Sequence, residues 1–203
     1  LEMGMVKARQ SYEKTDRIFL CPSRFLKEKM EDWGEPLGKL RHVPNPAELP
    51  IEMATGGGGY LLFAGRLTLE KGLASFLEAS AKVPELPIKI VGRGVGKLAE
   101  EEQIKPVAPT KGAQHVECLG FKMPEELRAL RLRAEAVVLP SIWYENSPLS
   151  LLEAMGDGLP CLTTRIGGNP ELVEDGVNGF LAQRGDAEDW LRVLRRFLAT
   201  GDD

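Results

Sequence analysis

Ala136-Val-Val-Leu-Pro-Ser-Ile-Trp-Tyr-Glu145-Asn-Ser-Pro-Leu-Ser-Leu-Leu-Glu153-Ala-Met-Gly-Asp-Gly-Leu-Pro160 decides how the whole chain is read. Ala136–Leu139 is a short apolar run stopped by Pro140, which predicts a buried strand. Pro148 to Gly156 reads as a helix, with Ser147 as N-cap and Pro148 in the first helical position, where a missing N–H costs nothing. Strand, loop and helix in that order aim free backbone N–H groups and the positive end of a helix dipole at an anion, phosphate being the usual guest. Two glutamates flank the junction. Glu145 stands in the loop, and Glu153 lies five residues beyond Pro148, roughly 7.5 Å along the helix axis. Because the helix is apolar nearly all round, a carboxylate in it needs hydrogen-bond donors, and sugar or ribose hydroxyls would supply them. A pair of ordinary exposed side chains is the competing reading, which the surrounding loops have to overturn.

Outward from this stretch, apolar strands alternate with helix-length segments. Strands are expected at Tyr60–Ala64, Ile88–Val91, Val116–Leu119, Ala136–Leu139, Cys161–Thr163 and Gly179–Leu181, and helices near 71–82, 96–103, 125–133, 148–156, 169–174 and 186–199. This alternation predicts an α/β domain, a doubly wound parallel sheet of Rossmann-like type, over residues 60–203. Ligands of such sheets bind at the carboxyl ends of the strands. Ahead of it, residues 51–59 contain Thr-Gly-Gly-Gly-Gly and read as a linker or hinge, and residues 1–50 hold a strand near Arg17–Cys21, a helix capped by Ser23 and a short strand at Leu40–Val43.

Composition narrows the function classes. A hydrophobic fraction of 43% is ample for a core, and a net charge of −4 with pI near 5.4 gives no global attraction to nucleic acid or anionic membrane. Cys21, Cys118 and Cys161 are odd in number and far apart, so reduced thiols, a cytoplasmic setting and neither disulfide nor zinc are expected. His42 and His115 each precede valine and read as structural. No apolar run reaches the ~20 residues of a membrane span. No Asp-x-Asp metal motif occurs.

The loops after the strands carry the chemistry. Gly65-Arg-Leu-Thr-Leu-Glu-Lys71-Gly72 puts two cations five apart at a strand's carboxyl end, and Arg66 as a planar fork with Lys71 as a point charge suits a diphosphate as well as it suits a surface ion pair. Val91-Gly92-Arg-Gly-Val-Gly96 lacks the spacing of a dinucleotide fingerprint and reads as a glycine turn bordering a nucleotide. Phe121, Lys122 and Met123 could wall a base pocket.

Together these loops resemble the carboxyl-terminal, donor-binding half of a GT-B retaining glycosyltransferase of family 4. The resemblance rests on Phe63-Ala-Gly-Arg-Leu with Glu-Lys-Gly72, Ile90-Val-Gly-Arg-Gly94, Leu119-Gly-Phe121, Pro140-Ser with Glu145-Asn-Ser-Pro-Leu-Ser-Leu-Leu-Glu153-Ala-Met, and Gly167-Gly-Asn-Pro-Glu-Leu-Val with Asp175-Gly-Val-Asn-Gly-Phe180. It implies that residues 1–50 are the last βα unit of an otherwise missing amino-terminal domain, so that the chain is a fragment. It further implies that Arg66, Lys71 and the backbone amides of Ser147 and Leu149 hold a donor diphosphate, that Glu145 takes hydroxyls of the transferred sugar, and that Glu153 takes the ribose. Gly65, Gly92, Pro148 and Phe121 to Met123 would border the nucleotide. The implied activity is retaining transfer from a nucleotide-diphosphate sugar to a hydroxyl acceptor, without metal or cofactor. The acceptor would be bound mainly by the missing domain, and the full-length protein could associate peripherally with a membrane. Base, sugar and acceptor stay open. A non-catalytic nucleotide-binding or interaction module on the same scaffold is the alternative, with nucleotide-sugar epimerisation third.

Overall fold

The computed structural model describes residues 18–34, 37–47, 52–93 and 115–200. Two compact units divide after Asn45. The first contains β1 (Phe19–Cys21), α1 (Arg24–Asp32) and β2 (Leu40–His42), with β1 and β2 paired in parallel. Ser23 caps α1 as its sequence predicts, its Oγ accepting the Leu26 N–H at 3.0 Å.

In the second unit, six parallel strands form one sheet: β3 (Leu61–Ala64), β4 (Ile88–Val91), β5 (Val116–Gly120), β6 (Ala136–Leu139), β7 (Cys161–Thr164) and β8 (Gly179–Ala182). They lie in the order β5-β4-β3-β6-β7-β8. The chain starts in the middle with β3, winds outward to β5, returns to β6 beside β3 and winds outward the other way. The crevice between β3 and β6 is therefore the switch point at which doubly wound sheets bind ligands. Every residue of β6, β7 and β8 is buried, as strands covered on both faces must be.

Alternate side chains feed two cores. From β3, Leu61 and Phe63 point into one layer with α2 (Leu73–Ser80) and α6 (Ala187–Ala199), where Phe76 meets Trp190 edge to face at 5.2 Å. Leu62 points into the other, with α3 (Pro124–Arg133), α4 (Leu149–Gly156) and α5 (Asn169–Leu172). His115, ahead of β5, lies with Nε2 3.2 Å from the buried Ser80 Oγ, and burial, opposed by Glu85, lowers its pKa below the ordinary value.

Two expectations are corrected. Pro148, not Ser147, is the N-cap of α4, and the helix starts at Leu149. Proline fixes φ but leaves ψ free, and here ψ is 123°, so Pro148 is extended rather than helical. The helix is also not buried all round: Leu151 and Ala154 face the core, whereas Leu149 and Glu153 are exposed. The helix expected near 96–103 lies outside the described residues.

The glycine-rich segment is tied down. Gly57 and Gly59 donate to Glu135 Oε1 at 2.9 and 3.0 Å. Thr55 and Gly58 donate their amides to the Leu132 and Arg133 carbonyls, closing the carboxyl end of α3.

Candidate functional site

Four loops meet at the carboxyl ends of β3, β4, β5 and β6. The β3 and β4 loops approach so closely that only glycine fits: a Cβ on Gly92 would fall 1.8 Å from the Gly65 carbonyl oxygen. Hydrogen bonds from Gly65 to Val91 (3.0 Å), from Leu67 to Arg93 (2.9 Å) and from Gly92 to Gly120 (3.0 Å) lock these loops together. Beyond them opens a cavity of about 510 Å3, lined by Gly65, Arg66, Gly92, Arg93, Phe121, Lys122, Arg131, Ser150 and Glu153 and floored by apolar side chains of β3, β4 and β6. An apolar floor with a few polar groups at the rim is the usual form of a small-molecule site.

Arg66 is held loosely, 3.9 Å from Glu70 and 65% exposed, so its guanidinium can turn to an incoming anion. Lys71 is held tightly: its Nζ is 2.6 Å from Glu145 Oε1, with both side chains about 15% exposed. A left-handed turn at Gly72 (φ 66°) brings Lys71 to this position, and a Cβ there would lie 2.0 Å from the Pro140 carbonyl oxygen. The first loop is thus pressed against the start of the β6 loop.

Glu145 is fixed from three sides. Ser141 Oγ donates to the same Oε1. The Gly168 amide donates to the Glu145 carbonyl at 2.7 Å. Behind them, Thr164 Oγ1 donates to the Ser141 carbonyl at 2.6 Å, and Asn169 Nδ2 donates to Thr163 Oγ1 at 2.9 Å and to the Thr164 carbonyl at 3.2 Å. This buried ladder ties α5 and β7 to the glutamate loop. Following it, the first amides of α4, those of Leu149 and Ser150, precede a ladder that opens with Leu151 and Leu152 donating to the Pro148 carbonyl. The helix dipole is directed at the same place.

Glu153 reaches the cavity one turn further on. Arg131 Nη1 lies 2.7 Å from Glu153 Oε2, and Arg131 Nε donates to Asp157 Oδ2. At the opposite rim, the Arg93 guanidinium lies 4.4 Å above the Phe121 ring.

Of the sequence-derived residues, Gly65, Arg66, Gly92, Phe121, Lys122 and Glu153 line one cavity, and Lys71 and Glu145 pair with each other without being part of its lining. Ser147 is buried and Leu149 exposed at the start of α4, next to Pro148. Met123 is not in the cavity lining; its amide donates to Glu126 Oε2 at 2.9 Å, capping α3. Sequence reading missed Arg93, Arg131, Thr163, Thr164 and Asn169. Asn169 stands inside a glycine-loop motif already singled out. Arg131 sits in a helix full of charges, and nothing in its spacing marks it. Among the described residues, no three His, Cys, Asp or Glu side chains gather where they could share a metal ion, and no helix is long and apolar enough to cross a membrane.

Comparison with known proteins adds relatives to this geometry. The family model Glycosyl transferases group 1 matches residues 50–203. The amylovoran biosynthesis glycosyltransferase AmsK of Erwinia amylovora is 30% identical over 202 residues, covering 92% of this chain and 48% of that protein. The putative colanic acid biosynthesis glycosyltransferase WcaL of Salmonella typhimurium is 32% identical over 177 residues, covering 80% of this chain and 39% of that protein. The chain thus spans half or less of the length of these relatives. Among solved structures, Anabaena HepE in complex with UDP and glucose superposes with a TM-score of 0.87 at 18% identity, covering 100% of this chain and 59% of that one. Sucrose-phosphate synthase from Thermosynechococcus elongatus does so with 0.84 at 22%, covering 98% and 53%. These structures share the parallel-sheet α/β fold, as the carboxyl-terminal half of a GT-B protein would.

Proposed function

The chain belongs to the glycosyl transferases group 1 family, and from that premise we propose that residues 46–203 bind a nucleotide-diphosphate sugar for retaining, family 4 type transfer to a hydroxyl acceptor. In this reading the diphosphate lies between Arg66, Lys71 and the first amides of α4. Glu145 accepts hydroxyls of the sugar, Glu153 accepts those of the ribose, and the Phe121 side of the cavity faces the base. The observation that carries the reading is the Lys71–Glu145 pair, 2.6 Å apart at the β3/β6 switch point. It sets a cation for phosphate beside an acceptor for hydroxyls, the two groups that the two ends of a sugar diphosphate require.

The bond that breaks joins the sugar's anomeric carbon to the diphosphate oxygen, and negative charge grows on the departing diphosphate. Lys71 and the helix amides are oriented before that charge appears, and the loosely held Arg66 turns to it, so stabilising the charge needs rearrangement of one side chain. No metal is required by this scheme. The acceptor is held by chain beyond these residues, a view supported by the share of the relatives covered. The cytoplasm is the working compartment, in keeping with three cysteines outside any disulfide.

A thermal-shift series with UDP, GDP, ADP and dTDP tests the reading. One nucleotide is expected to raise Tm, and R66A, K71A and E153A are each expected to weaken its binding by about ten-fold or more, the loss of a hydrogen bond to a charged group being ~1.5–3 kcal/mol. Unchanged affinity in all three variants would remove the site from this cavity.

A further inference from the structure

Glu153 projects from α4 with its side chain 47% exposed, and an exposed glutamate samples several rotamers. Here one partner restrains it. Arg131, 12% exposed in the last turn of α3, gives Nη1 to Glu153 and Nε to Asp157, whose side chain is 3% exposed. We infer that Arg131 is a positioning residue of the donor site, a fork anchored on Asp157 that commits one Glu153 oxygen and leaves the other to accept ribose hydroxyls. The inference rests on the reading of Glu153 as the ribose-binding residue.

Asp157 is otherwise hard to explain. An acidic residue at the carboxyl end of a helix faces the negative end of the dipole. It also stands four residues from Glu153, where like charges repel. Both penalties vanish once a cation bridges the two carboxylates. A guanidinium does this with two donors at a fixed mutual angle, which an ammonium cannot reproduce. Both sides of the fork are held rigidly. The Asp157 carbonyl accepts the Ala54 amide at 2.8 Å, and the carboxyl end of α3 is tied by the Tyr60 hydroxyl donating to the Leu130 carbonyl at 2.7 Å. With two carboxylates on one guanidinium, the cluster carries net negative charge, so Arg131 is not a phosphate ligand like Arg66.

The test is calorimetric titration of the whole chain with UDP, GDP or ADP, whichever raises Tm most, and with its 2′,3′-dideoxy counterpart. Wild type is expected to prefer the ribonucleotide by about ten-fold or more. R131M should cut that preference to about threefold or less by losing more affinity for the ribonucleotide than for the dideoxy nucleotide, R131K should fall between, and E153Q should abolish it. Because R131M leaves Asp157 buried without its cation, R131M/D157N is measured beside it as a variant with no stranded charge. A preference that survives in both Arg131 variants overturns the inference. Equal loss for the two nucleotides also overturns it and assigns Arg131 to folding. A wild type that binds the ribonucleotide without preferring it, or an E153Q that keeps the preference, instead overturns the ribose role of Glu153. Absence of nucleotide binding overturns the donor site itself.

Discussion

Gly167 carries no functional group, yet the position of Glu145 depends on it. Its φ is +60°, and a Cβ there would fall 2.2 Å from the Glu145 carbonyl oxygen and 2.8 Å from its nitrogen. Alanine at this position must push the glutamate loop away from Lys71. A left-handed non-glycine residue costs roughly 1–2 kcal/mol, so Gly167→Ala is expected to lower Tm by roughly 2–8 °C and to weaken nucleotide binding as well. Differential scanning fluorimetry with and without nucleotide checks both, and an unshifted Tm would mean that the loop does not lean on Gly167. At this scale the sequence reveals residues whose chemistry and loop position coincide: Arg66, Lys71 and Glu145 each follow a strand, and glycines beside them mark close backbone approach. Arg131 has the chemistry without the position, because Pro-Glu-Glu-Leu-Arg-Ala-Leu-Arg-Leu-Arg133 offers three arginines within six residues of one helix. Only packing selects the one that reaches α4.

Elements are legible where period and length agree. β3, β4, β6, β7 and β8 fall within one residue of expectation, because continuous apolar runs bounded by glycine or proline leave few alternatives. The start of α4 is not legible to the residue, since proline is compatible with both first helical turn and extended cap. Joints between elements are less legible still. Asp175 is one: it accepts the Leu181 amide of β8 at 2.9 Å, Arg196 of α6 at 3.1 Å, and faces Arg165 at 3.8 Å in the loop after β7. Burial pushes its pKa up, but the Leu181 N–H and the two arginines outweigh it and hold the carboxyl below its ordinary value. A carboxylate depressed in the folded state stabilises above its unfolded pKa and loses that contribution as pH falls through the folded one. Urea titrations of wild type and Asp175→Asn are therefore expected to differ by about 1 kcal/mol from pH 7 down to pH 5, with the gap narrowing progressively once pH falls below about 4. A gap undiminished at pH 3 would show that Asp175 acts through shape and not charge.

For the molecule as a whole, the order β5-β4-β3-β6-β7-β8 explains why residues from 65 to 153, spread over four loops, share one crevice: β3 and β6 are far apart in sequence and adjacent in the sheet. Alternating strands and helices implied a parallel sheet, but left open which strands are neighbours. That order appears only in the structure. Every residue assigned to the donor lies in the unit Pro46–Asp203, and among the described residues the strands β1 and β2 of the first unit pair only with each other. Both core layers are likewise built within that unit, from Phe76 and Trp190 on one side to Leu62 and Leu151 on the other. A chain starting at Pro46 is thus expected to fold, and to bind the nucleotide selected by thermal shift within about twofold of the affinity of all 203 residues. Calorimetry on the two lengths decides it: a loss of ten-fold or more on removing residues 1–45 would place a donor contact in the first unit and break the assignment of the whole site to the second.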